Sequence, residues 1–196
     1  MRERAAWPLI ALSMSAVATA IGATPGPYRL EKTHVDLLFS INHAGFTQKH
    51  GSFRDLDATL QYDPHRPDQS QISVTVETAS LDTGDGKRDR DVKSPQFLDV
   101  EKYPQMRFVS TKVTPGPNGT LLVEGNLTLH GVTKPFTLRT TLNKDAPSPF
   151  DKRPTLGFSA TGSLRRSDFG ISTYLPLIGD EVSIQIDAEF NQKTGG

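Results

Sequence analysis

Cysteine is missing from the 196 residues, and its absence excludes disulfides, thiolate metal sites, thiol nucleophiles and a lipobox-type acylated N-terminus together. An excess of either charge is missing as well, with 22 Lys and Arg against 22 Asp and Glu. Such a chain has no field strong enough to hold a polyanion by counterion release, so a nucleic-acid partner is not expected. Long apolar runs are scarce. No segment beyond residue 23 approaches the roughly 18 consecutive apolar residues of a membrane helix, so any membrane contact should be transient rather than by stable insertion. Catalytic and nucleotide signatures are also wanting: there is no G-x-S-x-G elbow, no P-loop, and no G-x-G-x-x-G after a strand. The five histidines (His34, His43, His50, His65 and His130) form no H-x-H or H-E-x-x-H pair. Neither a metal nor a cofactor is expected, and no catalytic residue is assigned.

What remains, 35% hydrophobic and 22% charged, is ordinary globular usage and fits one domain. The first 23 residues read as a cleavable export signal. Arg2 and Arg4 precede the apolar stretch Leu9 to Ala20, and small residues offer cleavage after Ala20 or after Ala23. Residues 24–196 then form the exported mature domain.

Alternation with period two dominates that domain. Val35, Leu37, Phe39, Ile41 and His43 share one face of a first strand. A turn is expected around His50-Gly51, and Phe53 breaks parity in a way that suggests a bulge before Leu56, Ala58, Leu60 and Tyr62. Ile72, Val74 and Val76 make a third set, and Met106 to Val113 a fourth. Leu121 to Leu129, Phe136 to Leu142, Leu156 to Leu164 and Val182 to Phe190 follow. The segment His130-Gly131 reads as the turn of a hairpin. From Ser80 to Pro104 the alternation stops. Ser94-Pro95 there offers an N-cap with proline at the first helical position, so a short helical segment is expected in the 81–105 connection, and the charged run Asp85 to Asp91 reads as a solvated loop.

Eight amphipathic strands without a helical repeat exclude a parallel α/β sheet. An all-β, eight-stranded antiparallel up-and-down barrel is favoured over a two-sheet sandwich. The small inward residues Ala58, Gly125, Ala160, Gly162 and Ala188 are read as leaving internal volume that a ligand could occupy.

Several short motifs recur in one order: Tyr28-Arg29-Leu30, Phe39-Ser40-Ile41-Asn42-His43, Gly51-Ser52-Phe53, Ser94-Pro95-Gln96-Phe97, Lys102-Tyr103-Pro104, Phe108-Val109-Ser110-Thr111, Leu127 to Pro135, and Arg166-Ser167-Asp168-Phe169-Gly170. In that order they resemble the YceI-like family from about Tyr28 to Phe190. The resemblance implies exported bacterial proteins with a lipocalin-like barrel whose apolar tunnel holds an isoprenoid lipid, of the polyprenyl phosphate or isoprenoid quinone type, without catalysis. The tunnel wall implied here comprises Leu37, Phe39, Ile41, Ile72, Val74, Leu127, Leu129, Phe136, Phe158, Gly162, Ile184 and Ile186. His43, Phe46, Phe97, Phe108 and Phe169 are placed nearer an end or under the irregular segment. The inward imidazole of His43 is open to two roles, bonding a ligand oxygen or satisfying the barrel end. A rival reading keeps the barrel but fills it with its own side chains, making it a ligand-free interaction or stress-related module. Monomer and homodimer both fit the sequence.

Overall fold

A computed structural model describes residues 24–193. The expected export signal, residues 1–23, lies outside the described residues. The chain runs through β1 (Gly26–His43), β2 (Thr47–Phe53), β3 (Leu56–Tyr62), β4 (Gln71–Glu77), β5 (Leu81–Asp82), helix α1 (Gly86–Lys93), β6 (Gln105–Pro115), β7 (Thr120–Leu129), β8 (Val132–Pro147), β9 (Pro154–Arg165) and β10 (Ile178–Gln192). Neighbours in space are neighbours in sequence around the ring β1-β3-β4-β6-β7-β8-β9-β10, and β10 pairs back onto β1. The result is a closed, eight-stranded, antiparallel up-and-down barrel. Closure leaves those eight strands with no free sheet edge over most of their length.

Two elements modify the ring. β1, at 18 residues, is about three times the length of a usual strand, and its register against β10 shifts between Leu30 and Val35. Its first part, Gly26 to Arg29, pairs with β3, whereas Leu37 to His43 pair with β2, which in turn pairs with β5. The reversal after β1 therefore occurs at Ala44-Gly45-Phe46. There Ala44 and Gly45 take positive φ values of 53° and 75° and the Phe46 amide donates to the His43 carbonyl. His50 and Gly51, expected in a turn, are strand residues. The parity break at Phe53 is real but marks the end of β2, with Arg54 and Asp55 between it and the start of β3.

The helix also lies one step earlier than expected. Asp85 caps it, its carboxylate accepting the amides of Lys87 and Arg88, and the mixed-sign run folds as α1 rather than as a loop. Ser94 closes the helix instead of opening one: its amide and hydroxyl both donate to the Asp91 carbonyl. A short acceptor two residues before an amide pair outcompetes Ser94 as a cap because it satisfies two orphan donors at once. At the other strand reversal, His130 and Gly131 have φ of 50° and 74°, the doubly left-handed turn that matches strand twist.

Viewed along the barrel, the reversals sort into two ends. Tyr62 to Gln71, Pro115 to Thr120 and Pro147 to Pro154 lie at the end where β1 begins and β10 finishes. The other end carries the 44–46 turn, α1 with residues 94–104, the 130–131 turn and residues 166–178. Buried side chains form two clusters. One gathers Leu81, Leu98, Phe108, Leu127, Leu129, Phe169 and Ile171. The second gathers Tyr28, Leu30, Leu56, Leu60, Tyr62, Leu156 and Phe190. They do not divide strictly by end: Val113 and Val123, beside the 115–120 reversal, belong with the first, and Val76, near the other end, with the second.

The inward glycines do not create the volume expected of them. A Cβ on Gly125 would lie 2.6 Å from the Phe108 ring, and one on Gly162 would lie 2.8 Å from Cζ of Phe136 and 3.1 Å from the Thr137 carbonyl oxygen. Each glycine is a seat for an aromatic ring from a neighbouring strand, so its missing side chain is already replaced.

Candidate functional site

Inside the barrel are two cavities. The upper one, about 240 Å³, is lined by Leu37, Phe39, Ile41, Val74, Phe97, Phe108, Leu127, Leu129, Phe136, Ile184 and Ile186, together with Phe53, Leu81, Val92, Leu98, Ile171, Ile178 and Val182. A lower one of about 120 Å³ is lined by Leu30, Val35, Leu37, Tyr62, Ile72, Val74, Phe108, Leu138, Phe158, Ile186 and Phe190, among others. Leu37, Val74, Phe108, Leu138 and Ile186 belong to both walls. They form a neck at mid-barrel between the two chambers. The walls present almost only carbon, which follows from the strict alternation of each strand around the ring.

The floor of the lower chamber is closed by rings in succession. Tyr28 meets Tyr62 at 6.3 Å between centroids, Tyr62 meets Phe158 at 6.3 Å, and Phe158 meets Phe190 at 6.0 Å, all edge to face. That geometry sets positive ring edges on negative ring faces. Burial raises the Tyr28 phenol above its usual range, although its hydroxyl donates to the Thr24 carbonyl at 3.0 Å. Ser70 Oγ, beside this chamber, is the single buried side-chain oxygen without a protein partner among the described residues.

Arg166 holds the roof together. It is only 4% exposed. Its Nε donates to the Gly179 carbonyl at 2.8 Å, Nη1 to Ile171 at 3.1 Å and Nη2 to Ile178 at 2.9 Å. Loss of hydration lowers its pKa, and the nearby Asp180 carboxylate opposes that effect. Asp180 itself accepts the Ser167 amide at 2.9 Å, the Ser167 hydroxyl at 2.8 Å and Arg165 Nε at 2.9 Å. The planar guanidinium fork can serve three carbonyls that no other side chain in the loop could reach together.

Most of the residues expected in a tunnel wall stand there. Leu37, Phe39, Ile41, Ile72, Val74, Phe97, Phe108, Leu127, Leu129, Phe136, Phe158, Ile184 and Ile186 all line one chamber or both. Four do not. His43 keeps the inward parity of β1 but lies past the last layer, paired with Ile178 and exposed, so its imidazole does not face the cavity. Phe46 is at the tip of the 44–46 turn and 87% exposed. Phe169 is packed into the upper core rather than the wall, and Gly162 lies under the Phe136 ring. Leu138, Leu164 and Val182 line the upper chamber on the parity already read from their strands. Phe53, Val92 and Ile171 come from segments whose pattern carried no periodic signal.

Nothing in these chambers arranges a nucleophile beside a base. A surface depression of about 790 Å³ lies outside the barrel across β1, β2, β8, β9 and β10, and its polar lining is Ser40, His50, Thr137, Arg139, Thr161, Ser163, Ser183 and Gln185. Among the described residues no group of three His, Asp or Glu comes together as metal ligands.

Fold and cavity together define a closed up-and-down barrel built around an elongated apolar interior. The family model of the YceI-like domain matches residues 28–190, and the chain belongs to that family. It is 40% identical over 166 residues to a UPF0312 protein of Pseudomonas savastanoi pv. phaseolicola, covering 83% of this chain and 86% of that one. Among solved structures it is similar to the Campylobacter jejuni YCEI protein, with a TM-score of 0.71 and 26% identity over 95% of this chain and 100% of the other. It also shares its fold with a polyisoprenoid binding domain from Saccharophagus degradans implicated in plant cell wall breakdown. The TM-score there is 0.62 and the identity 13%, covering 85% and 98% of the two chains.

Proposed function

We propose that this protein is a periplasmic, non-catalytic carrier or reservoir for an isoprenoid lipid, of the polyprenyl phosphate or isoprenoid quinone type. The observation that carries the reading is the carbon-lined interior: two chambers in line, joined through the neck at Leu37, Val74, Phe108, Leu138 and Ile186. A cavity in line and almost free of polar atoms suits a linear hydrocarbon better than a compact or polar ligand. Burying ten methylenes contributes about 8 kcal/mol before binding entropy is subtracted, so a chain ligand needs few polar contacts. The isoprenoid class is favoured by the family and by what the Saccharophagus domain is said to bind. No cofactor is required by this function, and contact with a membrane would be transient.

Denaturing lipid extraction with mass spectrometry, run beside native mass spectrometry on the exported protein, tests the reading. A near-stoichiometric isoprenoid is the expected result and would identify the head group. No bound lipid after mild purification, with no uptake of added quinone or polyprenyl phosphate, would overturn it in favour of a self-filled barrel.

A further inference from the structure

Two of the roof segments stand out for lacking charge, although α1 and residues 94–104 at the same end are rich in it. Residues 41–47 and 170–178 contain no Asp, Glu, Lys or Arg, in a chain where such residues make up 22%. Of the three connections at the opposite end, one carries Asp63, Arg66 and Asp68 and another Asp151, Lys152 and Arg153, while 115–120 is uncharged. From the uncharged segments three large apolar side chains project: Phe46 is 87% exposed, Leu177 65% and Tyr174 60%.

These projections form one structure. The Ala44 amide donates to the Leu177 carbonyl at 2.6 Å, which ties the hairpin turn to the long loop. Tyr174 stacks obliquely on Phe97 at 6.1 Å, and the Thr173 hydroxyl donates to the Gln96 carbonyl at 2.6 Å. The lip is also continuous with the upper chamber. Ile41 and Ile178, which flank it in sequence, and Phe97, which touches it, all line the cavity.

Resting on the lipid-carrier reading, we propose that this lip settles on the surface of a lipid bilayer and is where the hydrocarbon ligand passes between membrane and barrel. Large apolar residues on two turns, rather than on a flat patch, make protruding points. A protein partner would need a matching pocket for each point, whereas the soft interfacial layer of a bilayer accepts them without one. The lip segments hold no cation, and the adjoining connection 82–104 is nearly balanced, with five Lys and Arg against six Asp and Glu, so attraction to anionic lipid is not the driving force. Docking should therefore occur on zwitterionic vesicles and respond little to salt.

The test uses the exported chain and a fluorescent farnesyl-chain probe held in phosphatidylcholine vesicles. The double variant Phe46→Ser with Leu177→Ser should slow probe transfer about tenfold or more, while equilibrium uptake of the probe from detergent stays as in the unaltered protein. Phe150→Ser, at the opposite end and also exposed, should transfer at the unaltered rate. The only tryptophan, Trp7, lies in the expected export signal, so Phe46→Trp supplies a single reporter whose emission should shift to the blue on adding the vesicles. Transfer at the unaltered rate by the double variant, or no emission shift, would overturn the bilayer assignment. Salt-sensitive docking that requires an added protein would overturn it equally. Failure of every form, the unaltered one included, to take up probe from detergent would instead overturn the carrier reading.

Discussion

The floor and the roof of this barrel face the same problem of closing an eight-stranded ring, and they resolve it with different materials. At the floor, four aromatic rings and Leu156, which is 0% exposed, fill the interior down to the lower chamber. Outside it, ion pairs such as Arg66–Asp63 at 3.1 Å lie in the connecting loops. At the roof, the ring widens over the larger chamber and is spanned by α1, residues 94–104 and residues 166–178. One buried guanidinium there ties the long loop to β10 beside the packed Leu81, Leu98, Phe169 and Ile171. The difference teaches where stability and function are placed. A close-packed end supplies the folding energy and leaves the other end free to be hollow, because marginal net stability tolerates only so much unfilled space.

Truncation at the two ends should therefore cost different amounts. Leu156→Ala, at the floor, should destabilise by about 3–5 kcal/mol in urea titration, since both the transfer energy and a new void count against it. Ile41→Ala, which faces the upper chamber, should cost less than about 2 kcal/mol because that side chain already borders empty volume. Equal losses would break the comparison. Arg166→Met should follow at about 3 kcal/mol, by leaving three carbonyls without their donor. Hydrogen exchange should show that loss first in residues 166–180, with β1, β3, β9 and β10 at the floor protected as before.

Gly125→Ala sharpens the same contrast at mid-barrel. Its Cβ would meet the Phe108 ring at 2.6 Å, and Phe108 belongs to the neck. The Val109 carbonyl oxygen stands closer still, so the strand must shift as well as the ring turn into the passage, at a cost of about 1–3 kcal/mol. Uptake of a long-chain probe should fall more than uptake of a short one that needs the upper chamber alone. An unchanged ratio of the two would show that the chambers do not act in series.

How far the sequence reveals these features depends on whether a residue sits in a periodic strand. Leu37, Phe39, Val74, Leu127, Ile184 and Ile186 were legible as inward because alternation of two is fixed by the backbone itself. His43 obeys the same alternation and is still exposed, since parity gives the face of a strand but not the level at which the barrel ends. Gly125 and Gly162 misled for a different reason. A missing side chain in sequence is empty volume only if no ring from the next strand fills it, and cross-strand register is not written in either strand alone. Arg166 stands in the sequence only as part of a short family-like motif, and its three carbonyl bonds come from the fold. Its place in the chamber wall depends on residues 171, 178 and 179, brought to it by the fold.

The smallest expected effect concerns acid. Burial alone would raise the Asp180 carboxyl, but the amide and hydroxyl of Ser167 and the guanidinium of Arg165 outweigh it and hold the group below the usual carboxylate range. A carboxylate whose pKa is depressed on folding contributes stability that is present above its unfolded pKa, about 4, and is lost as pH falls through the folded value. The roof should therefore loosen before the floor in acid, because Asp180 ties β10 to the Arg166–Phe169 turn beside the chamber. Asp180→Asn should lower the urea midpoint at neutral pH only modestly, because the amide keeps one acceptor for Ser167. It should also flatten the fall in that midpoint below about pH 4. An acid limb as steep in the variant as in the unaltered protein would assign that loss to other depressed carboxyls, such as Asp63 and Asp151 at the floor, and would remove the distinction in acid sensitivity between the two ends.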